Sequence, residues 1–229
     1  MSEITNIIDR IAILAEQSGY VVGCLEYWSV CGGYNPDYPP RLNRTQMQEL
    51  TQNYPFHLPS ELYELYQRGN GCLPIGLDLN KNWDSFNSYF QFELLFSDNV
   101  FLPFAQAINY DSPSSFWWKK NKGILEYTPS ARKTLEEKLT CSLDWEDIGS
   151  RVFPVSIAEK GLYFVLGSER QQETSPVLFL YADLVVSIKW SSLTRMLFAV
   201  AEVMEREIQA PRPSEDELLA IWRSYMEEV

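Results

Sequence analysis

Four apolar runs, Val152 to Ile157, Leu162 to Leu166, Val177 to Ala182 and Leu184 to Trp190, follow one another with only turn chemistry between them. Strands that arrive in succession pair through hairpins, whereas a parallel sheet needs a crossover of a dozen residues or more between each pair. Glu159-Lys160-Gly161 suits a tight hairpin and Gly167 to Pro176 a longer polar loop, so the simplest arrangement is an antiparallel meander.

Helical patterns lie on either side of this block. Ser2 is placed to cap a first helix in which Ile4, Ile7, Ile8, Ile11, Leu14 and Ala15 keep the helical period until Gly19. Val21 to Arg44 turns Gly-, Pro- and Tyr-rich and reads as a connector. Thr45 and Gln48 form a capping-box pattern that opens a short helix ending near Tyr54-Pro55. Phe56 to Gly71 then spells a helix with both ends written out. Pro59 sets its approach and Ser60 is the expected cap. Leu62, Leu65 and Tyr66 share one face, Gly69 stops the helix, and Asn70-Gly71 tolerates positive φ for a reversal into the strand-like Leu73 to Leu79.

Further extended runs are expected at Tyr89 to Phe96 and Val100 to Ala105, and a short helix at Ala131 to Leu139 within Asp111 to Ser150, a mixed segment that looks like an insertion. After the meander, Ser191 or Ser192 caps a helix carrying Leu193, Met196, Leu197, Val200 and Met204. A capping box, Ser214 with Glu217, opens a terminal helix striped by Leu218, Leu219, Trp222, Tyr225 and Met226. The order predicts an α+β fold, an antiparallel sheet with helices on one side. It divides into an N-terminal helix and connector (1–44), a main domain (45–208) and a C-terminal helix (209–229).

The residues offer little chemistry. His57 is the only histidine, so a Ser-His-Asp or Cys-His nucleophile would have to pass through a residue beside Pro59, where a partly buried histidine at a helix entrance is the ordinary reading. Cys24, Cys31, Cys72 and Cys141 lack CxxC spacing and read as reduced core thiols, with no metal set and no disulfide framework. No GxGxxG, GxxxxGKS/T or GxSxG occurs, so no cofactor is expected. Acids are plentiful, but no spacing singles out a catalytic pair. The net charge of −12 speaks against a nucleic-acid binder, because phosphate backbones are held by clustered Lys and Arg. It suits a basic partner, although solubility is the commoner use of such charge.

The N-terminal sequence has no basic region and no apolar run long enough for a signal peptide or membrane span, so a cytoplasmic protein is expected. Phe116, Trp117 and Trp118, followed by Lys119-Lys120, have the composition of an interface anchor, with burial in the core as the competing use. Glu215-Asp216-Glu217 favours the dipole of the last helix, whereas Glu227-Glu228 opposes it and reads as a solvated end.

Leu58-Pro59 before a helix, Asn70-Gly71 after it, Phe153-Pro154-Val155, Gly161-Leu162-Tyr163-Phe164-Val165, Ser175-Pro176-Val177 and Ser192-Leu193-Thr194 come in an order that resembles the SUKH superfamily, in its Smi/Knr-type branch. The resemblance runs from about Thr45 to about Ile208. It implies an α+β domain whose sheet and helices form a protein-binding surface without enzymatic activity. Many bacterial members of that superfamily look like immunity proteins that neutralise a toxin, often a nuclease or deaminase, and fungal relatives act as regulatory scaffolds. The chain departs from the pattern at the Ala158-Glu159-Lys160-Gly161 hairpin and in the long Asp111 to Ser150 segment. The expected function is thus a non-catalytic domain that binds a basic, nuclease-like toxin. The alternatives are a regulatory scaffold of the same fold and an enzyme built on surface carboxylates.

Overall fold

The computed structural model describes residues 2–18, 40–54, 56–71, 100–102, 104–108, 126–139, 151–158, 161–181, 185–209 and 213–226. In chain order the elements are α1 (Glu3–Ser18), α2 (Arg44–Leu50), α3 (Ser60–Arg68), β1 (Val100–Phe101), α4 (Phe104–Ile108), β2 (Glu126–Tyr127), α5 (Pro129–Leu139), β3 (Val152–Ala158), β4 (Gly161–Leu166), β5 (Val177–Tyr181), β6 (Val185–Trp190), α6 (Leu193–Ile208) and α7 (Glu215–Tyr225). The fold class is α+β, as the contiguous strands require.

β3, β4, β5 and β6 form the expected meander, each antiparallel to the next. β3 and β4 join across residues 159–160, with Ala158 opposite Gly161. Two short strands extend the sheet to the order β1-β3-β4-β5-β6-β2. β1 is antiparallel to β3, but β2 runs parallel to β6, placing Tyr127 opposite Val186. The segment that looked like an insertion therefore supplies an edge strand. Thr128 accepts the Ala131 amide at the start of α5, and Tyr127, Ala131 and Leu135 are buried.

Alternation along β4 and β5 sends Leu162, Phe164, Leu178 and Leu180 to one face and Tyr163, Val165, Val177 and Phe179 to the other. All are buried except the partly buried Tyr163. Both faces of the sheet are thus covered, which corrects the expected one-sided layer. Near-continuous apolar runs such as Gly161–Leu166 are the sequence form of a strand buried on both sides.

The helices form where their patterns place them, with local corrections. α1 carries Ile4, Ile7, Ile8, Ile11 and Leu14 into the same core as the sheet, lying along α6 and against α3. The capping box of α2 is Asn43 with Gln46, two residues before the Thr45–Gln48 pair. Val100 to Ala105 is not one extended run: after Val100–Phe101 the chain turns, and Phe104 opens α4. Ser192 caps α6 by accepting the Arg195 amide, and the Ser214–Glu217 box of α7 is present in both directions. The strand-like runs at 73–79 and 89–96 lie outside the described residues.

Ser60 does not cap α3. Pro59 holds the N-cap position without a side-chain bond, and the amides of Ser60 and Glu61 donate to the carbonyls of Gln172 and Glu173. The loop after β4 does the capping. It reaches α3 through His57 and Ser168, whose backbones exchange two hydrogen bonds, and through Gln171, whose amide donates to the Leu58 carbonyl at 2.7 Å. At the other end Gly69 leaves the helix and Gly71 takes φ 80°, the positive-φ turn expected of Asn70-Gly71.

Gly167 marks where this loop leaves the sheet. Its amide donates to the Arg151 carbonyl, and a Cβ there would sit 2.7 Å from the Phe56 Cβ and 3.1 Å from the Tyr54 ring. The Tyr54 hydroxyl also donates to the Arg151 carbonyl, and the Arg151 guanidinium lies 4.3 Å from the Phe56 ring centre, so neither ring is free to retreat. Gly167→Ala is expected to cost about 1–3 kcal/mol through this overlap, read as a lower urea midpoint at unchanged slope. A variant as stable as the parent would show that the 54–56 segment yields.

Candidate functional site

α3 begins with Glu61 on its apolar face, three residues after Leu58 and four before Leu65, and the helix turns that carboxylate into the interior. Glu61 is 4% exposed. One carboxylate oxygen accepts the Ser175 amide at 3.0 Å and the Leu193 amide at 3.2 Å. The other accepts the Thr194 amide at 3.1 Å and the Thr194 hydroxyl at 3.0 Å. Leu193 and Thr194 open α6, so the carboxylate satisfies two amides that a helix start leaves without partners, at the positive end of the helix dipole. Burial pushes the Glu61 carboxyl above the ordinary glutamate value of 4.5, and the four donors pull the other way.

Glu61 therefore ties α3, the helix that follows Leu58-Pro59, to Ser175-Pro176 and Ser192-Leu193-Thr194, pieces more than a hundred residues further along the chain. Each carboxylate oxygen accepts two of the protein's own donors. In this arrangement it braces the junction of α3, the loop before β5 and the start of α6.

The remaining motif residues have the same character. The Asn70 side chain accepts the Phe104 amide and donates to the Pro40 carbonyl, both at 2.9 Å, pinning the turn after α3 to two other segments. Phe153 packs among Tyr66 and Phe104, with ring centres 6.2 and 5.3 Å away, while the Tyr66 hydroxyl donates to the Leu102 carbonyl. Pro154 stands at the irregularity where the β3–β4 register shifts, a position that does not need a ladder amide. Gly161 closes the hairpin opposite Ala158.

Phe116, Trp117, Trp118 and all four cysteines lie outside the described residues. His57 is exposed rather than partly buried as expected, because among the described residues it joins the structure through its backbone bridge to Ser168 and not through its ring. Among the described residues no group of three or more His, Cys, Asp or Glu is placed to hold a metal ion, and no helix is long and apolar enough to cross a membrane.

A second aromatic group, not singled out by the sequence motifs, lies where β6 meets the last two helices. Tyr163 stands 4.5 Å from Phe179 and 5.6 Å from Trp190 between ring centres, and Trp222 of α7 meets Trp190 edge-on at 5.0 Å. Trp190 is fully buried, yet among the described residues its indole N–H has no acceptor and the buried hydroxyls of Ser156 and Ser187 have no partner. The tryptophan spacing alone gave no sign of this group, because Trp190 and Trp222 belong to different elements.

The chain matches no protein-family model and no curated protein.

Proposed function

We propose that this chain is a cytoplasmic, non-catalytic protein-binding domain of SUKH type, an immunity-type protein that binds a basic, nuclease-like toxin and neutralises it by covering its site. The observation that carries the reading is the Glu61 junction. Two of the motifs that make up the SUKH resemblance, Ser175-Pro176-Val177 and Ser192-Leu193-Thr194, donate to one buried carboxylate in the helix that follows a third, Leu58-Pro59, as expected if those motifs maintain a scaffold and leave recognition to the surface. The meander flanked by helices suits the same architecture.

The net charge of −12 supports a basic partner. Nuclease clefts are positive because they hold phosphate backbones, and an opposing negative surface speeds encounter and favours the correct partner. No cofactor, nucleic acid or membrane is invoked.

The test is recovery of partners by the tagged protein from its native host at low and at high salt, followed by mass spectrometry. The proposal expects a single basic protein, retained at low salt and captured more slowly at high salt, that is toxic when produced alone and harmless when this chain is co-produced. Several unrelated housekeeping proteins held irrespective of salt would overturn the toxin reading in favour of a regulatory scaffold.

A further inference from the structure

We propose that α7 is a strap that undocks from the domain as a unit, baring Trp190 and the outer side of α6 while the sheet and α6 stay folded. The inference rests on packing and is independent of the toxin reading. None of the side chains described in α7 is fully buried: Leu218, Ile221, Trp222 and Tyr225 are partly covered, and Leu219 is 38% exposed. The neighbouring α6 is built differently, with Leu193, Leu197, Val200 and Val203 all buried.

The polar ties across α6 and α7 are of the kind that holds weakly. Arg206 and Glu217 stand 3.9 Å apart with side chains 31% and 57% exposed, and such pairs are screened by solvent. The Tyr225 hydroxyl donates to Glu202, and the exposed Arg195 guanidinium lies 4.8 Å from the Tyr225 ring centre. The apolar anchors are Trp222, edge-on to Trp190, with Tyr225 and Met226, all partly buried against the core, and the first of them carries a counterweight. The Trp190 indole N–H is a buried donor without an acceptor among the described residues, a state that costs free energy and that water relieves once Trp222 lifts away.

The sequence separates α7 from α6 as well. Pro211 and Pro213 prevent the α6 hydrogen-bond ladder from running on, and α7 has its own start signal in the Ser214–Glu217 capping box. An eleven-residue helix is marginal in water by itself, so undocking and loosening of α7 occur together. What the strap bares is Trp190, a side-chain type that anchors protein interfaces, together with the side of α6 on which α7 lies.

Amide hydrogen exchange on the full-length chain, read by mass spectrometry across low urea concentrations, tests the strap directly. The expected result is exchange in 215–225 at least about tenfold faster than in 193–208, with little dependence on urea, because local opening exposes little surface. Trp222→Ala should raise exchange in α7 further and leave β4, β5, β6 and α6 unchanged. Protection of α7 equal to that of α6 with the same urea dependence would overturn the proposal. So would a Trp222→Ala variant that loses protection throughout the sheet.

Discussion

Glu61→Ala should destabilise the fold by about 3–5 kcal/mol, because it orphans three backbone amides and a hydroxyl on the buried residues Ser175, Leu193 and Thr194. The Ser175, Leu193 and Thr194 amides all end on this one carboxylate, so its loss frees the loop before β5 and the start of α6 at once. Glu61→Gln should be milder, about 1–3 kcal/mol, since one oxygen remains to accept two amides while the new NH2 group faces the Thr194 amide donor to donor. Equilibrium urea unfolding of the two variants checks the order. Equal, small losses would mean that water reaches the junction.

The sign of the pH dependence follows from the raised carboxyl. A group whose pKa is higher folded than unfolded contributes stability that is fully present below the unfolded value, here the ordinary 4.5, and is lost as pH rises through the folded value. The stability gap between the parent and Glu61→Ala should therefore narrow as pH climbs from that point. A gap that widened would mean that the four donors outweigh burial and hold the carboxyl down.

Phe153→Ala is the second large effect, about 3–5 kcal/mol, from lost apolar burial and the cavity left beside two aromatic rings. Phe153 is 1% exposed, and the rings it meets belong to α3 and α4, so the hole opens where β3 receives both helices. Tyr66 cannot simply fill it, because its hydroxyl is held by the Leu102 carbonyl and its ring by Phe101 at 5.0 Å. Thermal unfolding should fall by several degrees or more, with the same two-state shape. A loss below about 1 kcal/mol would show that the site collapses around the gap.

Local signals were legible and distant ones were not. Ser191-Ser192, of which Ser192 is the cap, and the Ser214–Glu217 pair announced two helices correctly because capping is decided within four residues. The start of α2 was misplaced because Asn43-Gln46 and Thr45-Gln48 satisfy the same spacing, and the sequence does not say which is used. Ser60 looked like a cap until the carbonyls of Gln172 and Glu173, more than a hundred residues away, took that work. β2 is two residues long and parallel to its neighbour, too short for any periodicity to register.

Glu61 illustrates the same limit in the candidate site. An acid in the first turn of a helix ordinarily faces water, where it favours the dipole of its own helix. One signal was present: Glu61 falls on the Leu58, Leu62, Leu65 stripe, where a solvated residue has no place. The donors that make its burial tolerable, Ser175, Leu193 and Thr194, come from other elements, so no local spacing could reveal them. The group of Tyr163, Phe179, Trp190 and Trp222 was hidden for the same reason, since its members meet only when β4, β5, β6 and α7 have assembled.

The most direct test of the central claim, that a folded acidic surface recognises a basic protein, is the association rate constant of the purified chain with the basic protein it recovers, measured against ionic strength. Electrostatic recognition predicts a rate that falls steeply, by roughly tenfold or more between low and physiological salt, while the dissociation rate changes little. An association rate that stays flat across that range would contradict it.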